Sequence, residues 1–192
     1  MAVESGATRL GAPLPDITLP DADGHPVSLA GLRGDGVLVV AFVCNHCPYV
    51  RHVEQLLGQI AAAADESVSF VAIVSNDVGT HPDDDVEGMR AQVERAGWDF
   101  PFLQDLDQSA ALEFGAACTP DFFVFGSDGT LMYRGAFDNS SPKNGEPLTG
   151  ELLSGAIEAA LDGRPVPLPH RPALGCGIKW LPGNEPEAVT FG

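Results

Sequence analysis

The stretch that decides the fold is Val37-Leu-Val-Val-Ala-Phe-Val43, which runs directly into Cys44-Asn-His-Cys47-Pro48. Seven consecutive apolar residues, most of them β-branched, are typical of a strand that is buried on both faces of a sheet. From Pro48 onward the apolar residues recur at helical spacing, and proline is tolerated in the first turn of a helix. The sequence therefore predicts that the two cysteines lie at a strand-to-helix junction.

Further strands and helices are predicted on both sides of this junction. The strands are 17–19, 27–29, 68–74, 122–125 and 131–134, and the later helices are 86–97, 107–114 and 149–161. Glycine-containing turns at 21–24 and 127–129 join four of these strands into two hairpins. Strands that alternate with helices predict an α/β fold with an N-terminal β-hairpin.

The chain divides by composition into three parts. We expect a flexible N-terminal arm over residues 1–12, a domain over 13–163 and an extended C-terminal segment over 164–192 that packs on the domain. The arm has no periodicity, and the last segment holds six of the sixteen prolines. The arm also lacks the apolar segment of a signal peptide, so we expect a cytoplasmic protein.

Composition excludes two broad classes of protein. No apolar run approaches the roughly 18 residues of a membrane span. The 27 acidic and 10 basic residues give a net charge of −17, which would repel a nucleic-acid backbone. We therefore expect neither a membrane nor a nucleic acid as partner. We expect the protein to be a monomer or a dimer.

The four cysteines are too few for a disulfide scaffold, so the Cys44–Cys47 pair suggests chemistry. With two residues between them, the sulfurs of a CxxC motif can form and open a disulfide across one helical turn. A helix N-terminus stabilises a thiolate, which we expect at Cys44. A protonated His46 would lower the pKa of Cys44 further.

Two other uses of this motif remain open. Two cysteines at this spacing supply half of the ligands of a zinc, iron or copper site. The other ligands could come from His46, His52, Cys118 and Cys176 if the fold brings them together. The pair could also be two buried cysteines without reactivity. The functional alternatives to an oxidoreductase are a thiol peroxidase and a non-catalytic metal-binding or redox-sensing module.

Five stretches carry a family resemblance that spans roughly residues 12–187. They are VCNHCPYV from Val43, VSND from Val74, AACTPDFFVF from Ala116, MYRGAFDNS from Met132 and GCGIKWLPGNEP from Gly175. The sequence resembles the thioredoxin superfamily, in particular the redoxin branch related to peroxiredoxins and TlpA-type thiol oxidoreductases, and within it the peroxiredoxin-like CxxC group. The resemblance implies a thioredoxin-like fold, with a central mixed sheet flanked by helices.

The resemblance also implies roles for individual residues. Cys44 resembles the attacking, solvent-facing thiol and Cys47 the resolving one. Thr119-Pro120 matches the family's cis peptide, which faces the CxxC motif and presents the Thr119 backbone to an extended partner peptide. We expect Asn45 to contact the substrate, an oxidised protein or a small disulfide, with an unidentified electron donor and no cofactor.

Departures from related families shape the expected chemistry. A peroxiredoxin would show PxxxTxxC, with a proline seven residues and a threonine three residues before the cysteine. Before Cys47 these positions hold Val40 and Cys44, which weakens the peroxidase alternative. The buried acid of thioredoxins is replaced by Leu38, so His46 becomes the nearest acid–base candidate. Because His46 resembles the histidine of DsbA-type oxidants, we predict a pair more oxidising than that of thioredoxin.

The remaining cysteines and Arg134 carry separate predictions. Cys118 is either a buried core thiol or a redox thiol within reach of the dithiol. Cys176, flanked by glycines that allow close backbone approach, is a candidate second resolving thiol. Arg134 is expected to pair with a carboxylate near the end of its strand.

Overall fold

The computed structural model describes residues 2–6 and 9–186. The strands in chain order are β1 (Ala2–Glu4), β2 (Thr18–Pro20), β3 (Pro26–Ser28), β4 (Val37–Phe42), β5 (Val68–Val74), β6 (Phe102–Gln104), β7 (Cys118–Thr119), β8 (Asp121–Phe125), β9 (Leu131–Gly135) and β10 (Leu174–Gly177). The helices are α1 (Leu29–Arg33), α2 (Pro48–Ala63), α3 (Val86–Ala96), α4 (Ser109–Phe114) and α5 (Glu151–Leu161), and a 3₁₀ turn covers Pro82–Asp84.

Strand β4 is the centre of a five-stranded mixed sheet with the order β6-β5-β4-β8-β9. It pairs in parallel with β5 and antiparallel with β8. Successive residues of a strand point to opposite faces, and both faces of β4 are covered. Val37, Val39 and Ala41 pack with α2, α3 and α5, whereas Leu38 and Val40 pack with α1 and α4. The predicted α/β fold with helices on both faces is confirmed.

The helix ends follow their sequence signals. Pro48 opens α2 directly after Cys47, which is the N-cap residue. The Asp85 side chain caps α3 by accepting a hydrogen bond from the Gly88 N–H, and Gly97 ends that helix in a left-handed conformation. The β4–Cys44–Cys47–α2 connection therefore forms as predicted.

A second, three-stranded sheet joins the two ends of the chain to the site, in the order β1-β10-β7. Within the C-terminal segment, Leu174–Gly177 form the paired strand β10. The prediction of a flexible arm over residues 1–12 is wrong for β1, because its backbone pairs antiparallel with β10. Gly11 and Leu14 also donate backbone hydrogen bonds to the β8–β9 hairpin. Met1, Ala7, Thr8 and the last six residues lie outside the described residues.

No helix within residues 2–6 and 9–186 is both long enough and apolar enough to cross a lipid bilayer.

Candidate active site

The CxxC loop leaves the carboxyl end of β4 and enters α2, and both of its sulfurs are buried. Cys44 and Cys47 each have no exposed surface. The expectation that Cys44 faces solvent is therefore wrong for this conformation, because the segment around Thr119 and the C-terminal strand cover the loop. The residue at the N-terminus of α2 is Cys47 rather than Cys44, since Cys47 is the N-cap residue and the helix begins at Pro48.

Thr119 contacts both sulfurs of the motif. Its hydroxyl lies 3.3 Å from Sγ of Cys44, and its carbonyl oxygen accepts a hydrogen bond from the Cys47 thiol at 3.2 Å. The Thr119–Pro120 peptide bond is cis. The structure thus brings Cys44, Cys47, Thr119 and Pro120, which the sequence singled out separately, to one place.

The β7 edge beside the dithiol is already occupied by the chain itself. In the β7–β10 pair, Cys176 lies opposite Thr119 and Gly177 lies opposite Cys118. The expectation that the Thr119 backbone is open to an extended partner peptide is therefore wrong in this conformation. An adjacent strand of the same chain takes that place because Gly175 lets its backbone come close to the Thr119 carbonyl.

The thiols of Cys44 and Cys176 both affect the ionisation of Cys47. Hydrogen bonding from the Cys44 thiol lowers the pKa of Cys47 to about 4, against burial, and the Cys176 thiol and the Val50 N–H lower it further. The same Cys44–Cys47 hydrogen bond, together with burial, raises the pKa of Cys44. Burial raises the pKa of Cys176 to about 11. These interactions favour ionisation of Cys47 over ionisation of Cys44, which is the reverse of the predicted order.

The buried carboxylate of Asp84 accepts hydrogen bonds from the backbone of the CxxC loop. Its Oδ1 accepts a hydrogen bond of 2.8 Å from the Asn45 backbone N–H, and its Oδ2 accepts one of 2.7 Å from the Asn76 side chain. Nδ1 of His46 lies 2.7 Å from Oδ2 of Asp84. Asp84 thus holds the loop through the backbone N–H groups of Asn45 and His46, and its negative charge contributes to raising the pKa of Cys44.

The two central residues of the motif have distinct surroundings. Asn45 donates a side-chain hydrogen bond to the Asp83 carbonyl, so it holds the loop to the 3₁₀ turn. Its predicted substrate contact remains a prediction. The His46 ring stacks on His81 with centroids 5.2 Å apart. Burial and the neighbouring His46 lower the pKa of His81.

Two buried amide side chains anchor the C-terminal segment to the site. Asn76 accepts a hydrogen bond from the Lys179 N–H through Oδ1 while donating to Asp84. Gln108 donates to the Lys179 carbonyl and accepts from the Leu181 N–H. The VSND and GCGIKW stretches are therefore in contact through the hydrogen bond between Asn76 and Lys179, which sequence spacing alone did not show.

Cys118 lies on the other side of β7 from the dithiol. It is fully buried, and its sulfur contacts the carbonyl oxygens of Pro120 and Ala173 at 3.9 and 3.8 Å. Burial and the negative charge of Asp121 raise its pKa. These surroundings favour a core thiol over a redox thiol.

Arg134 forms the ion pair that the sequence predicted. Its guanidinium lies 2.8 Å from the Asp121 carboxylate, and both side chains are almost fully buried. A second hydrogen bond from Arg134 reaches the Gly115 carbonyl. This pair fixes the start of β8 directly after Pro120.

One group of side chains could hold a metal ion. Ligand atoms of Cys44, His46 and Asp84 lie within 4.8 Å of one another, and this is the only such group among the residues that the structure describes. The set considered from sequence, which included His52, Cys118 and Cys176, is not brought together there. His52 instead lies 2.8 Å from the Ser140 hydroxyl.

Comparison with known proteins places the chain in a family. The Redoxin family model matches residues 9–148, more than half of the chain. The chain belongs to the redoxin family. The resemblance seen in the sequence motifs is thereby confirmed, and Cys44, Cys47 and Thr119 lie within the matched residues whereas Cys176 lies beyond them.

Three similar proteins bear on this redoxin. An uncharacterised conserved protein of Geobacillus kaustophilus is 44% identical, with a TM-score of 0.91 over 95% of this chain and 97% of that chain. A Mycobacterium tuberculosis protein, provisionally named a peroxiredoxin, is 34% identical over 57% of this chain; the match spans 66% of that relative, just under two thirds. A secreted disulfide oxidoreductase of the same organism, homologous to E. coli DsbE, is 25% identical, with a TM-score of 0.60 over 75% of this chain and 96% of that chain.

These findings show a thioredoxin-like redox protein. The thioredoxin-like fold with a central mixed sheet is confirmed.

Proposed function

We propose that this redoxin is a thiol–disulfide oxidoreductase that works through the Cys44–Cys47 dithiol. The observation that carries the proposal is the convergence of both CxxC sulfurs on Thr119, beside the cis Thr119–Pro120 peptide and at the N-terminus of α2, which favours a thiolate. The two sulfurs of a CxxC motif can join across one helical turn, and the thiolate is the reactive form in thiol–disulfide exchange.

The exchange runs in two balanced steps. Cys44 attacks one sulfur of a substrate disulfide, its proton passes to the Cys47 thiolate, and the other substrate sulfur leaves as a thiolate. Cys47 then attacks Sγ of Cys44, and its proton passes to the second departing substrate sulfur. The protein is left with a Cys44–Cys47 disulfide, and the substrate is left as one thiol and one thiolate, which takes up a proton from solvent according to the pH. Cys44 takes the attacking role because Cys47 is enclosed between Cys44, Cys176 and the Thr119 carbonyl.

The covered dithiol favours a small disulfide as substrate. An extended protein substrate would have to replace β10 on the edge of β7, whereas a small disulfide needs only local opening of the CxxC loop. His46 is placed at that loop and anchored to Asp84, so it is the side chain available to exchange protons with a departing thiolate.

Oxidised glutathione tests the proposal. Reduced protein is incubated with it under exclusion of oxygen, and intact mass with peptide mapping follows the products. We expect a Cys44–Cys47 disulfide in the wild type and a glutathione adduct on Cys44 that accumulates in Cys47→Ser. Cys118→Ser serves as the matched control and should behave as the wild type. A wild type that forms no internal disulfide contradicts the proposal.

A thiol peroxidase is the second candidate, and the position of Cys47 favours it. Its thiolate at the N-cap of α2 could attack a peroxide, break the O–O bond and become a sulfenic acid while the other oxygen leaves as water or an alcohol. Cys44 would then release water by forming the disulfide. Peroxide consumption by Cys44→Ser, with a sulfenic acid trapped on Cys47 by dimedone, would support this route. Peroxide left unconsumed by the wild type would exclude it.

A further inference from the structure

A cysteine-bearing strand of the chain itself lies where an extended substrate would add to β7. Strand addition to an exposed sheet edge is a common mode of peptide binding. Here β10 takes that edge, and its register puts Cys176 opposite Thr119, the residue that touches both sulfurs of the CxxC motif.

The Cys176 side chain also lies near the dithiol. Cys47 and Cys176 meet at Thr119, because the Thr119 carbonyl accepts a hydrogen bond from the Cys47 thiol and Cys176 lies opposite Thr119 in the strand pair. Cys176 is half-buried and packs against the apolar cluster that contains Cys44 and Cys47. The Cys176 thiol is therefore placed beside the dithiol, in the same cluster and next to the same residue, Thr119.

The surroundings hold β10 in this register. The Thr119 hydroxyl lies 3.5 Å from the Cys176 carbonyl oxygen, and β1 pairs with the opposite edge of β10. Beyond the strand, the amides of Asn76 and Gln108 bind the backbone of Lys179. Cys176 is thus fixed beside Cys47 from both ends of its strand, in a segment that lies outside the residues matched by the family model.

We propose that β10 is a built-in substrate strand and that Cys176 is a third redox thiol, which exchanges with the Cys44–Cys47 disulfide to give a Cys47–Cys176 disulfide. This inference rests on the proposed dithiol chemistry, because that chemistry supplies the first disulfide.

The exchange balances without a further reactant. Cys176 gives up its proton, and its thiolate attacks Sγ of Cys47. The Cys44–Cys47 bond breaks, Cys44 leaves as a thiolate, and it can take the proton that Cys176 released. No net oxidation occurs. The oxidising equivalents move onto the C-terminal strand, Cys44 becomes free to react again, and β10 becomes covalently bound to the first turn of α2.

Disulfide mapping tests this role. Wild type, Cys44→Ser, Cys176→Ser and Cys118→Ser are oxidised with diamide, their free thiols are alkylated at low pH, and the monomers are digested and mapped. We expect Cys44→Ser to carry a Cys47–Cys176 disulfide, and at least one tenth of the oxidised wild type to carry it beside an alkylated Cys44. Cys176→Ser should hold the Cys44–Cys47 disulfide alone, and Cys118→Ser should match the wild type.

The outcomes separate this inference from the proposed function. If Cys44→Ser leaves Cys47 and Cys176 alkylated, or if less than one tenth of the wild type carries their disulfide, Cys176 has no redox role. The proposed function still stands in that case when the wild type and Cys176→Ser form the Cys44–Cys47 disulfide. If neither protein forms that disulfide, both the proposed function and this inference fail.

Discussion

Replacing Gly175 by alanine tests the placement of β10 over the dithiol. Gly175 does not have a positive φ, so the close approach of the backbone is what requires glycine here. An alanine Cβ would overlap the carbonyl group of Thr119, which is backbone and cannot rotate away. The strand must shift, and the Cys176–Thr119 and Gly177–Cys118 pairs must weaken.

The expected cost follows from two opposing effects. Overpacking of a close-packed site costs roughly 1–3 kcal/mol, and a backbone obstacle belongs at the upper end of that range. Loss of glycine from the unfolded chain offsets roughly 0.4–1 kcal/mol. We therefore expect the free energy of unfolding of Gly175→Ala to fall by about 2 kcal/mol in urea titration.

Thiol accessibility provides the second readout of this variant. Both CxxC sulfurs are fully buried, so a shifted β10 should raise the rate of their alkylation by iodoacetamide at least about tenfold, as expected when opening becomes easier by about 1.4 kcal/mol. Gly155→Ala is the matched control, since Gly155 is an exposed position of α5 with no atom near an added Cβ, and it should stabilise the fold by roughly 0.5–1 kcal/mol. A Gly175→Ala protein with wild-type stability and wild-type alkylation rates would refute the reasoning.

Three further predictions concern the charges around the site. Asp84→Asn removes a buried charge that accepts hydrogen bonds from Asn45 and Asn76, so we expect about 2–3 kcal/mol of lost stability. The same change removes a charge that raises the pKa of Cys44, so alkylation of Cys44 should begin at a lower pH, and an unchanged pH dependence of its alkylation would contradict the placement. Because the pKa of Cys47 is lowered to about 4, the free energy of unfolding of the reduced protein should decrease as the pH falls towards 4, by at most about 1.4 kcal/mol per pH unit. The oxidised protein, which has no Cys47 thiolate, should not show this decrease. Thiolate absorbance at 240 nm that develops only at pH 8.5 or above would exclude the assignment. Asp121→Asn takes the counter-charge from a buried guanidinium and should cost about 3–5 kcal/mol in urea unfolding, and a loss below 1 kcal/mol would show that the ion pair contributes little.

The strand-to-helix junction could be predicted from sequence because its signals are local. A continuous apolar run, a proline at the next helix start and a two-residue spacing place Cys44 and Cys47 without reference to the rest of the chain. The same applies to α3, where Asp85 and Gly97 act at the two ends of one helix.

Other parts of the site depend on contacts between distant residues. Asp84 stands in a run of three acids that together resemble a helix cap, but only Asp85 caps α3, and the 3₁₀ turn directs Asp84 under the CxxC loop. Gln108 adopts a left-handed backbone conformation and reaches the C-terminal segment more than seventy residues away, which no local pattern signals.

The burial of the dithiol was missed for the same reason. Strand β10 is short and contains two glycines, so neither alternation nor β-propensity marks it, and its partner β7 has only two residues. Pairing between them is decided by close backbone approach at Gly175. As a result, an extended tail was predicted but its position over Thr119 was not.

The reduction potential of the Cys44–Cys47 pair tests the central claim most directly. It is obtained by equilibrating the protein with glutathione redox buffers and measuring the fraction with this disulfide by mass. The lowered pKa of Cys47 favours a thiolate, which only the reduced form can hold, so we predict a potential above the roughly −270 mV of thioredoxin and towards the roughly −120 mV of DsbA. A potential at or below that of thioredoxin, or no disulfide in any buffer, would contradict the account.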